Sequence, residues 1–352
     1  MRDEISWEFS RNSIDTEFIA ASDTDKNVRY VLSGRTGFDL VIKDIRSKGL
    51  KLSSCCFPSY CATSMMQPFA DNGISIEFYD AFVGKDGFEF DASHNNCDAI
   101  VLIDYFGYCS NELPAMAAEA HKRGCIVITD VTQSIFCDRN YRAFSDYVVG
   151  SFRKWLPSCS AFVYSQDGFS VSYYQTICGK FEELRNRAYS IKQQYVQSND
   201  SSAEKFLSLF EESEVMLKTD YGGYAASQQE LNVYLNADRE FIRSKRRENA
   251  GFVIERLVGN KRIRPIVSNM QSADCPLFVP LLLNSDIDRD NVRQALFENK
   301  IFLPVHWRIS KLHRSDWVNR PEYTSILSCI CDQRYSINDM NRVCNAIIEQ
   351  IN

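Results

Sequence analysis

Residues 125–134 read CIVITDVTQS, and they decide the fold class. The stretch begins with a continuous apolar run that ends at Asp130, without the alternation of a strand that has one face in water. A run of this kind is typical of a strand buried on both faces, as in a parallel sheet covered by helices. A second such run, AIVLIDYFG, occupies residues 99–107, and a helical segment that stops at Gly124 separates the two. The pattern therefore predicts a strand–helix–strand unit.

The alternation of strands and helices continues on both sides of this unit. It predicts strands over residues 28–33, 50–56, 74–80, 146–152 and 160–165, and helices over residues 36–49, 60–72 and 111–124. After residue 168 the sequence is helical in period, and residues 221–257 form one long helix or two. From residue 261 the mixed pattern returns, with strands over 275–283 and 301–307 and helices over 288–300 and 336–351.

These patterns predict an α/β protein with two domains. The large domain, residues 1–230, contains the mainly parallel sheet flanked by helices, and its N-terminal segment could pack on the small domain. A linking helix covers residues 231–260. A smaller C-terminal α/β domain covers residues 261–352.

The charge and the N-terminal sequence exclude several classes of partner. The net charge of −6 opposes non-specific binding of nucleic acid, which requires a positive face. The N-terminal stretch MRDEISWEFSRNS contains no apolar segment of signal-peptide length, and no apolar run approaches the thickness of a bilayer. We therefore expect a cytoplasmic protein that binds neither nucleic acid nor membrane.

The thirteen cysteines are the most unusual feature of the composition. In a protein without an export signal, we expect them to be reduced and mostly buried as small apolar residues. A structural zinc site is the alternative, but the sequence contains no C-x-x-C pair, and none of the four histidines has zinc-site spacing to a cysteine pair. We expect no metal site.

Polar residues follow several of the predicted strands. Asp130 ends an apolar strand, and its carboxylate is costly to bury unless it meets a positive partner such as a protonated heterocyclic nitrogen. Gln133, three residues later, could reach the same pocket. The alternative for Asp130 is the N-cap of a helix. Since ligands of such sheets bind at the carboxyl ends of strands, Asp130 and Gln133 are candidate site residues.

Two other strand ends carry weaker signals. The turn SGRTGF, residues 33–38, lies between a strand and a helix, so its backbone N–H groups and the Thr36 hydroxyl could bind a phosphate. A plain tight turn explains the same residues equally well. Tyr60 follows another strand and could stack on a flat ring, although an aromatic residue in the core is the alternative.

Lys154 lies in the stretch GSFRKWLPSCS, residues 150–160, at the end of a further strand. A lysine amine attacks a carbonyl only when it is neutral, and both desolvation and a neighbouring cation lower its pKa. Phe152 and Trp155 could supply the first effect and Arg153 the second. The alternative is a surface turn with solvated charges. Together, a candidate phosphate turn, a candidate stacking aromatic, a strand-end aspartate and this lysine resemble the parts of a pyridoxal-phosphate site.

On these residues, the chain resembles the fold-type I pyridoxal-phosphate enzymes, and among them the DegT/StrS-type sugar aminotransferases, over most of residues 28–350. The family's Ser-Gly-Thr-like turn is similar to residues 33–37, and its aromatic-x-Ala-Thr segment is similar to residues 60–63. Its Asp-x-x-Gln/His element resembles residues 130–133, and its Ser-Phe…Lys element resembles residues 151–154. The resemblance implies a large domain built on a mainly parallel, seven-stranded sheet.

The resemblance also implies roles for individual residues. The cofactor pyridoxal 5′-phosphate would be held by Lys154 as an aldimine, with Asp130 on its pyridine nitrogen and Gln133 near the ring. Further cofactor-binding residues implied by the resemblance are Gly34, Arg35, Thr36, Gly37, Tyr60 and Ser151. An amino group would pass from an amino acid such as glutamate to a keto sugar nucleotide, and the enzyme would be a homodimer.

The segment PVHW, residues 304–307, is similar to a segment that borders the substrate mouth in this family, which makes His306 and Trp307 candidate substrate residues. Arg334, just before the last predicted helix, could bind a carboxylate in a bidentate manner, or could form a salt bridge to the large domain. The chain departs from the family in its short Ser151–Lys154 spacing, in the missing Gly-Gly after the lysine, and in Arg35, where a small residue is usual. Another pyridoxal-phosphate reaction, such as that of a lyase, and a catalytically silent binding or regulatory protein remain alternatives.

Overall fold

A ten-stranded sheet with helices on both faces forms the larger part of the protein. The structure is a computed structural model, and it describes residues 4–11, 26–92, 96–197 and 203–351. Within these residues the strands are β1 (Ile5–Ser6), β2 (Val28–Val31), β3 (Ser54–Pro58), β4 (Ser75–Val83), β5 (Phe88–Asp91), β6 (Ala99–Ile103), β7 (Ile126–Asp130), β8 (Tyr147–Ser151), β9 (Ala161–Ser165), β10 (Thr176–Ile177), β11 (Tyr224–Ala225), β12 (Ile263–Pro265), β13 (Phe278–Leu283), β14 (Ile301–Phe302) and β15 (Ile326–Ile330). The helices are α1 (Gly34–Ser47), α2 (Thr63–Asp71), α3 (Leu113–Lys122), α4 (Gly179–Gln197), α5 (Ala203–Thr219), α6 (Gln228–Leu235), α7 (Arg239–Leu257), α8 (Arg289–Glu298), α9 (Pro321–Thr324) and α10 (Ile337–Ile351).

The order of the large sheet is β10-β11-β2-β9-β8-β7-β6-β3-β4-β5. The pairs β4–β3, β3–β6, β6–β7 and β7–β8 are parallel, whereas β9 runs antiparallel to both β8 and β2. The seven strands from β2 to β4 form the body of the sheet, and the short strands β10, β11 and β5 extend its edges. The prediction of a mainly parallel sheet flanked by helices is therefore confirmed.

Strand β6 shows why the central strands are apolar without alternation. All five of its residues are buried. Val101 and Ile103 belong to the core on the α1 side of the sheet, whereas Ile100 and Leu102 pack with α3 on the other side. Both faces are therefore removed from water, and each position of the strand has to be apolar.

A separate antiparallel sheet, β12-β13-β15, lies in the C-terminal part of the chain. Helix α7 packs against this sheet and against α10, and α10 also packs against α8. The N-terminal strand β1 pairs in parallel with β14, so Ile5 and Ser6 lie against the C-terminal part of the chain, whereas Arg11 forms an ion pair with Glu230 of α6. The boundaries proposed above for the domains and for the linking helix stay predictions.

Several predicted element boundaries are wrong. The strand predicted over residues 99–107 ends at Ile103, and a 3₁₀ turn follows over Tyr105–Gly107. The helix predicted from residue 60 begins at Thr63, because the chain is still extended at Ala62. Of the two alternatives for the segment 221–257, the structure has the second, two helices, and Asp238 caps α7 by accepting a hydrogen bond from the N–H of Phe241. The strands that were not predicted are β1, β5, β10, β11, β12 and β15.

The structure also locates the cysteines. All thirteen are free thiols, and all but Cys97 and Cys137 are buried. Within the described part of the chain, no group of three or more His, Cys, Asp or Glu side chains is placed to hold a metal ion. None of the helices that the structure describes is long and apolar enough to cross a membrane.

A backbone junction joins the large sheet to the C-terminal part at Gly107. The N–H of Leu277 donates to the carbonyl of Phe106 over 2.7 Å, and the N–H of Cys275 donates to that of Gly107 over 3.0 Å. Gly107 has a φ of +84°, and a Cβ atom there would overlap the carbonyl oxygen of Cys275. The junction therefore requires glycine both for its backbone conformation and for space.

We expect Gly107→Ala to lower the free energy of unfolding by at least about 2 kcal/mol, because strain at positive φ adds to the backbone overlap. Gly124→Ala is the matched control. Gly124 has a φ of +72°, but a Cβ atom added there would have no neighbouring atom within 4 Å, so the cost should be only about 1 kcal/mol. Urea denaturation of both variants tests this difference, and equal losses would contradict the role of the junction.

Candidate functional site

A cavity of about 210 Å³ lies where the carboxyl ends of β2, β6, β7 and β8 meet. Its position agrees with the rule that ligands of open α/β sheets bind beyond the ends of the strands. Residues from both the large sheet and the C-terminal part of the chain form its wall. The lining residues are Ser33, Gly34, Arg35, Phe38, Ala62, Ser64, Met65, Ile103, Asp130, Thr132, Gln133, Ser151, Arg153, Lys154, Glu214, Leu277, His306 and Trp307.

Asp130 ends β7 and is only 5% exposed. Its Oδ1 accepts a hydrogen bond from the N–H of Thr132 over 2.7 Å, so the carboxylate closes a turn and does not cap an α-helix. Burial raises the pKa of Asp130 to about 6, against the opposing effect of the Thr132 hydrogen bonds. No ion pair links Asp130 to any residue of the described ranges 4–11, 26–92, 96–197 and 203–351. The cavity therefore contains a buried carboxylate that a positive ligand group would stabilise.

Gln133 fixes the end of β7 against the end of β6. Its side-chain Oε1 accepts a hydrogen bond from the N–H of Phe106 over 2.7 Å. The Trp155 indole N–H donates to the carbonyl of Thr132 over 2.8 Å, which holds the turn after β7 against the turn after β8. These bonds set the relative positions of the residues that follow the two strands.

Lys154 lies in the 3₁₀ turn Phe152–Lys154 that follows β8, and it is half-buried in the cavity wall. Burial, and then the charge of Arg153, lower the pKa of Lys154 to about 8. Phe152 and Trp155 are fully buried and do not line the cavity, so they fix the turn from behind. Lys154 Nζ lies 5.1 Å from the ring centroid of Trp7, which comes from the N-terminal segment. The amine is thus partly neutral at physiological pH and faces the same cavity as Asp130.

The turn at residues 33–37 divides into cavity residues and packing residues. Ser33 caps α1, and its Oγ accepts a hydrogen bond from the N–H of Thr36 over 3.2 Å. Thr36 is fully buried and does not line the cavity. A Cβ atom on Gly37 would lie 2.9 Å from a methyl group of Val149, so Gly37 permits α1 to pack closely on the sheet. Ser33, Gly34 and Arg35 are the members of this turn that reach the cavity.

A charge cluster lies beside this turn, at the end of the cavity that includes Ser151. Glu214, on α5, contacts the guanidinium of Arg153 and lies 4.0 Å from Arg35 and 3.7 Å from Arg185. Burial alone would raise the pKa of Glu214, but the charges of Arg153, Arg185, Lys154 and Arg35 outweigh it and hold the pKa at about 2. Glu214 was not predicted from the sequence, because it lies within a polar helix and follows no strand.

Tyr60 is fully buried and does not line the cavity, contrary to the stacking role considered for it. Its ring packs in an aromatic cluster with Trp307, Phe88 and Tyr105, at centroid distances of 4.9, 5.6 and 5.7 Å. Trp307 is the ring of this cluster that reaches the cavity wall. The structure therefore gives Tyr60 the role of a core aromatic that supports Trp307.

His306 lines the cavity beside Trp307, and the role of substrate residues for the two stays a prediction. Its Nδ1 lies 2.9 Å from Ser328 Oγ. Burial, and then the charge of Lys154, lower the pKa of His306 to about 3, so the imidazole is neutral at physiological pH. A neutral ring in this place can accept or donate a hydrogen bond without adding charge to the cavity.

Arg334 does not reach the cavity. Its guanidinium pairs with Asp332 over 2.6 Å and donates to the backbone carbonyls of Ser6 and Glu8 over 2.8 and 2.7 Å. The role of substrate ligand considered for Arg334 is corrected to a structural one, in which it holds the N-terminal segment on the C-terminal part of the chain. The partner of the ion pair is Asp332, two residues away, and not a residue of the large sheet.

We expect Asp130→Asn to stabilise the cofactor-free protein. Since burial raises the folded-state pKa of Asp130 from 3.8 to about 6, the folded state loses stability as the pH rises from about 4 through 6. Asparagine keeps the acceptor for Thr132 and removes this loss. The free energy of unfolding in urea should increase by about 1–3 kcal/mol at pH 8, and by less at pH 5.

Asp104→Asn is the matched control for this prediction. Burial also raises the pKa of Asp104 to about 6, but Asp104 lies 3.3 Å from Arg139 and accepts from the Tyr141 hydroxyl over 2.7 Å. Both Asp104 oxygens also accept hydrogen bonds, Oδ1 from the N–H of Ser110 over 2.8 Å and Oδ2 from Tyr141. The amide nitrogen of asparagine would therefore replace an acceptor whichever way the side chain is placed, and the variant should be destabilised. If both variants are destabilised at pH 8, Asp130 has a structural partner, and the expectation of a positive ligand group beside it is wrong.

Solved structures similar to this chain were found, although the sequence matches no protein-family model and no curated protein. PseC of Helicobacter pylori, an aminotransferase involved in the biosynthesis of pseudoaminic acid, is 12% identical, with 99% of both chains covered and a TM-score of 0.68. NtdA of Bacillus subtilis, with bound cofactor PMP, is 13% identical over 92% of this chain and 73% of NtdA, with a TM-score of 0.63. DesI, in the presence of its TDP-sugar product, is 14% identical over 91% of this chain and 79% of DesI, with a TM-score of 0.63. The chain therefore has the fold of these structures.

Proposed function

We propose that the protein is a pyridoxal-phosphate-dependent aminotransferase, and a divergent relative of the DegT/StrS-type sugar aminotransferases. The observation that carries this proposal is the presence of the Lys154 amine and the buried Asp130 carboxylate in one cavity at the strand ends. Three similar folds support it, since one belongs to an aminotransferase, one has bound PMP, and one was solved with a TDP-sugar. The substrate would then be a nucleotide-linked keto sugar, and an amino acid such as glutamate would donate the amino group.

The residues of the cavity fit the three polar parts of the cofactor. The Asp130 carboxylate would pair with the protonated ring nitrogen, which offsets the cost of its burial. The phosphate would lie at the start of α1, near Ser33, Gly34 and Ser151, where backbone N–H groups favour an anion. The Lys154 amine would meet the aldehyde carbon. Trp307 would border the ring, and Tyr60 would support Trp307 from behind.

When bound, the cofactor supplies an aldehyde that takes up the amino group and a protonated ring that accepts an electron pair from the substrate carbon. Lys154 Nζ has two tasks in this scheme. As a neutral amine it would be the nucleophile that holds the cofactor, and as a free amine it would carry a proton between two carbon atoms as a general acid and base. A pKa near 8 suits both tasks, because both forms of the amine are populated near neutral pH.

Two finer parts of the proposal rest on the resemblance and on the composition. One is that the active enzyme is a homodimer, and the other is that it is cytoplasmic. Sedimentation equilibrium of the purified protein tests the first part, and a single species of 40.5 kDa at micromolar concentration would contradict it.

We expect borohydride reduction of the protein mixed with pyridoxal phosphate to leave a pyridoxyl group on Lys154, located by peptide mass spectrometry. Lys192 is the internal control. Burial also lowers its pKa to about 8, but it lies outside the cavity and contacts Ser6 and Glu8, so it should stay unlabelled. Label on Lys192 but not on Lys154 would mean that low pKa alone directs the reaction, and would contradict the proposed site.

Incubation with glutamate before reduction distinguishes the proposed reaction from its alternatives. An aminotransferase that uses glutamate should lose the trappable label, because the Lys154 amine would be free once the amino group of the donor has been taken up. Retention of the label would favour another pyridoxal-phosphate reaction, such as that of a lyase. No label under any condition would favour a binding or regulatory protein.

We expect the acetylation of Lys154 by acetic anhydride to follow the neutral fraction of an amine whose pKa is about 8. Because the pKa is lowered from 10.5, the rate should rise about tenfold between pH 6 and 7 and level off above about pH 8. Competitive labelling read by mass spectrometry, with exposed Lys122 as the reference, measures this profile. A rate that still rises tenfold between pH 9 and 10 would contradict it.

A further inference from the structure

The end of the cavity that includes Ser151, where the phosphate of a ligand is expected, already contains a carboxylate from the protein itself. Glu214 lines this end, together with Arg35, Arg153 and Lys154. The Arg153 guanidinium donates to Glu214 Oε1, and the Arg35 Nη1 atom lies 4.0 Å from Glu214 Oε2. Glu214 therefore lies on the same cations that a bound phosphate would meet.

The charges at this end do not balance. Four cations, Arg35, Arg153, Arg185 and Lys154, surround Glu214, and Glu8 adds one more carboxylate 3.7 Å from Arg185. Among these residues there are four positive charges and two negative charges. The site can therefore accept a further anion, even though Glu214 is ionised throughout the physiological pH range.

The arginines differ in their availability. Arg185 is buried, 3.1 Å from the Tyr189 hydroxyl, and does not line the cavity. Arg35 uses its Nε for Gln67, and its distance of 4.0 Å from Glu214 is too long for a hydrogen bond. Of these three arginines, Arg153 is the one in direct hydrogen-bond contact with Glu214. A phosphate at this end would therefore compete with Glu214 mainly for Arg153, and Arg35 could turn toward it.

We propose that Glu214 is an internal competitor of phosphate, which occupies Arg153 in the cofactor-free protein and thereby limits the affinity of the site for phosphate-bearing ligands. This inference rests on the proposed function, because the cofactor is the phosphate-bearing ligand expected there. It adds a residue, on a helix far from the strand ends in sequence, that sets how tightly the phosphate group is held. The carboxylate keeps the arginines paired until the phosphate arrives.

The inference is tested by comparing three ligands in wild type, Glu214→Gln and Glu212→Gln. The ligands are pyridoxal phosphate, pyridoxal without its phosphate, and inorganic phosphate. Glu212 lies on the same helix, is exposed and does not line the cavity, so its replacement makes the same change in net charge outside the site. Dissociation constants are measured by calorimetry for inorganic phosphate, and by tryptophan fluorescence for the two pyridoxal compounds.

We expect Glu214→Gln to bind inorganic phosphate and pyridoxal phosphate about tenfold more tightly than wild type, because one nearby negative charge is removed. Pyridoxal should change by less than about twofold, since it has no phosphate. Glu212→Gln should behave like wild type. In an Arg153→Gln background the effect of Glu214→Gln should shrink, because the group for which the two anions compete is gone.

Several results would overturn the inference. Weaker or unchanged phosphate binding in Glu214→Gln would mean that Glu214 only orders Arg153. Equal changes for pyridoxal phosphate and pyridoxal would mean that Glu214 acts through Lys154. The same gain in Glu212→Gln would mean a general effect of net charge. If inorganic phosphate bound neither to wild type nor to Glu214→Gln, this end of the cavity would not be an anion-binding site.

Failure of the proposed function gives a different result. In that case neither pyridoxal compound becomes attached to Lys154 in any variant. The dissociation constants for inorganic phosphate still show whether Glu214 competes with phosphate for Arg153. The competition at Arg153 and the identity of the cofactor are thus tested separately.

Discussion

The burial of the Asp130 carboxylate at the end of β7 is the constraint on which the site depends. The strand is apolar on both faces, and its last residue places this carboxylate, only 5% exposed, among the strand ends. The carboxylate accepts a hydrogen bond from the turn that follows, but within the described residues no cation forms an ion pair with it. Such an arrangement lowers the stability of the cofactor-free protein. Such a carboxylate is stabilised where a ligand supplies the missing positive charge, and the cavity beside Asp130 leaves room for one.

The part of the fold that follows from local pattern could be predicted from the sequence. Continuous apolar runs identified β6, β7 and β8, and their carboxyl ends led directly to Asp130, Ser151 and Lys154, all of which line one cavity. The strand-end rule works because parallel strands bring residues that are distant in sequence to the same edge of the sheet. Elements without that signal were missed, such as the short edge strand β5, whose burial pattern alternates.

Contacts made by long side chains could not be predicted in the same way. The residue type and the sequence position of Arg334 favour the binding of an anion. Its guanidinium instead pairs with Asp332 and donates hydrogen bonds to the N-terminal segment. Tyr60 follows a strand end, yet its ring turns into the aromatic core instead of the cavity. Glu214 lies in a polar helix that gives no local sign of a site, and only the tertiary structure brings α5 to the arginines. In each case a partner distant in sequence or a competing core decides the position of the side chain.

The Lys154 amine and the charge cluster beside Ser151 are electrostatically linked. Burial and Arg153 lower the pKa of its amine, whereas Glu214 raises it, so the charge cluster beside Ser151 also sets how much of the amine is neutral. A phosphate bound at that end would add negative charge near the same amine and favour its protonated form. The pKa of the Lys154 amine would therefore depend on which anions lie at that end, Glu214 alone or Glu214 together with a bound phosphate.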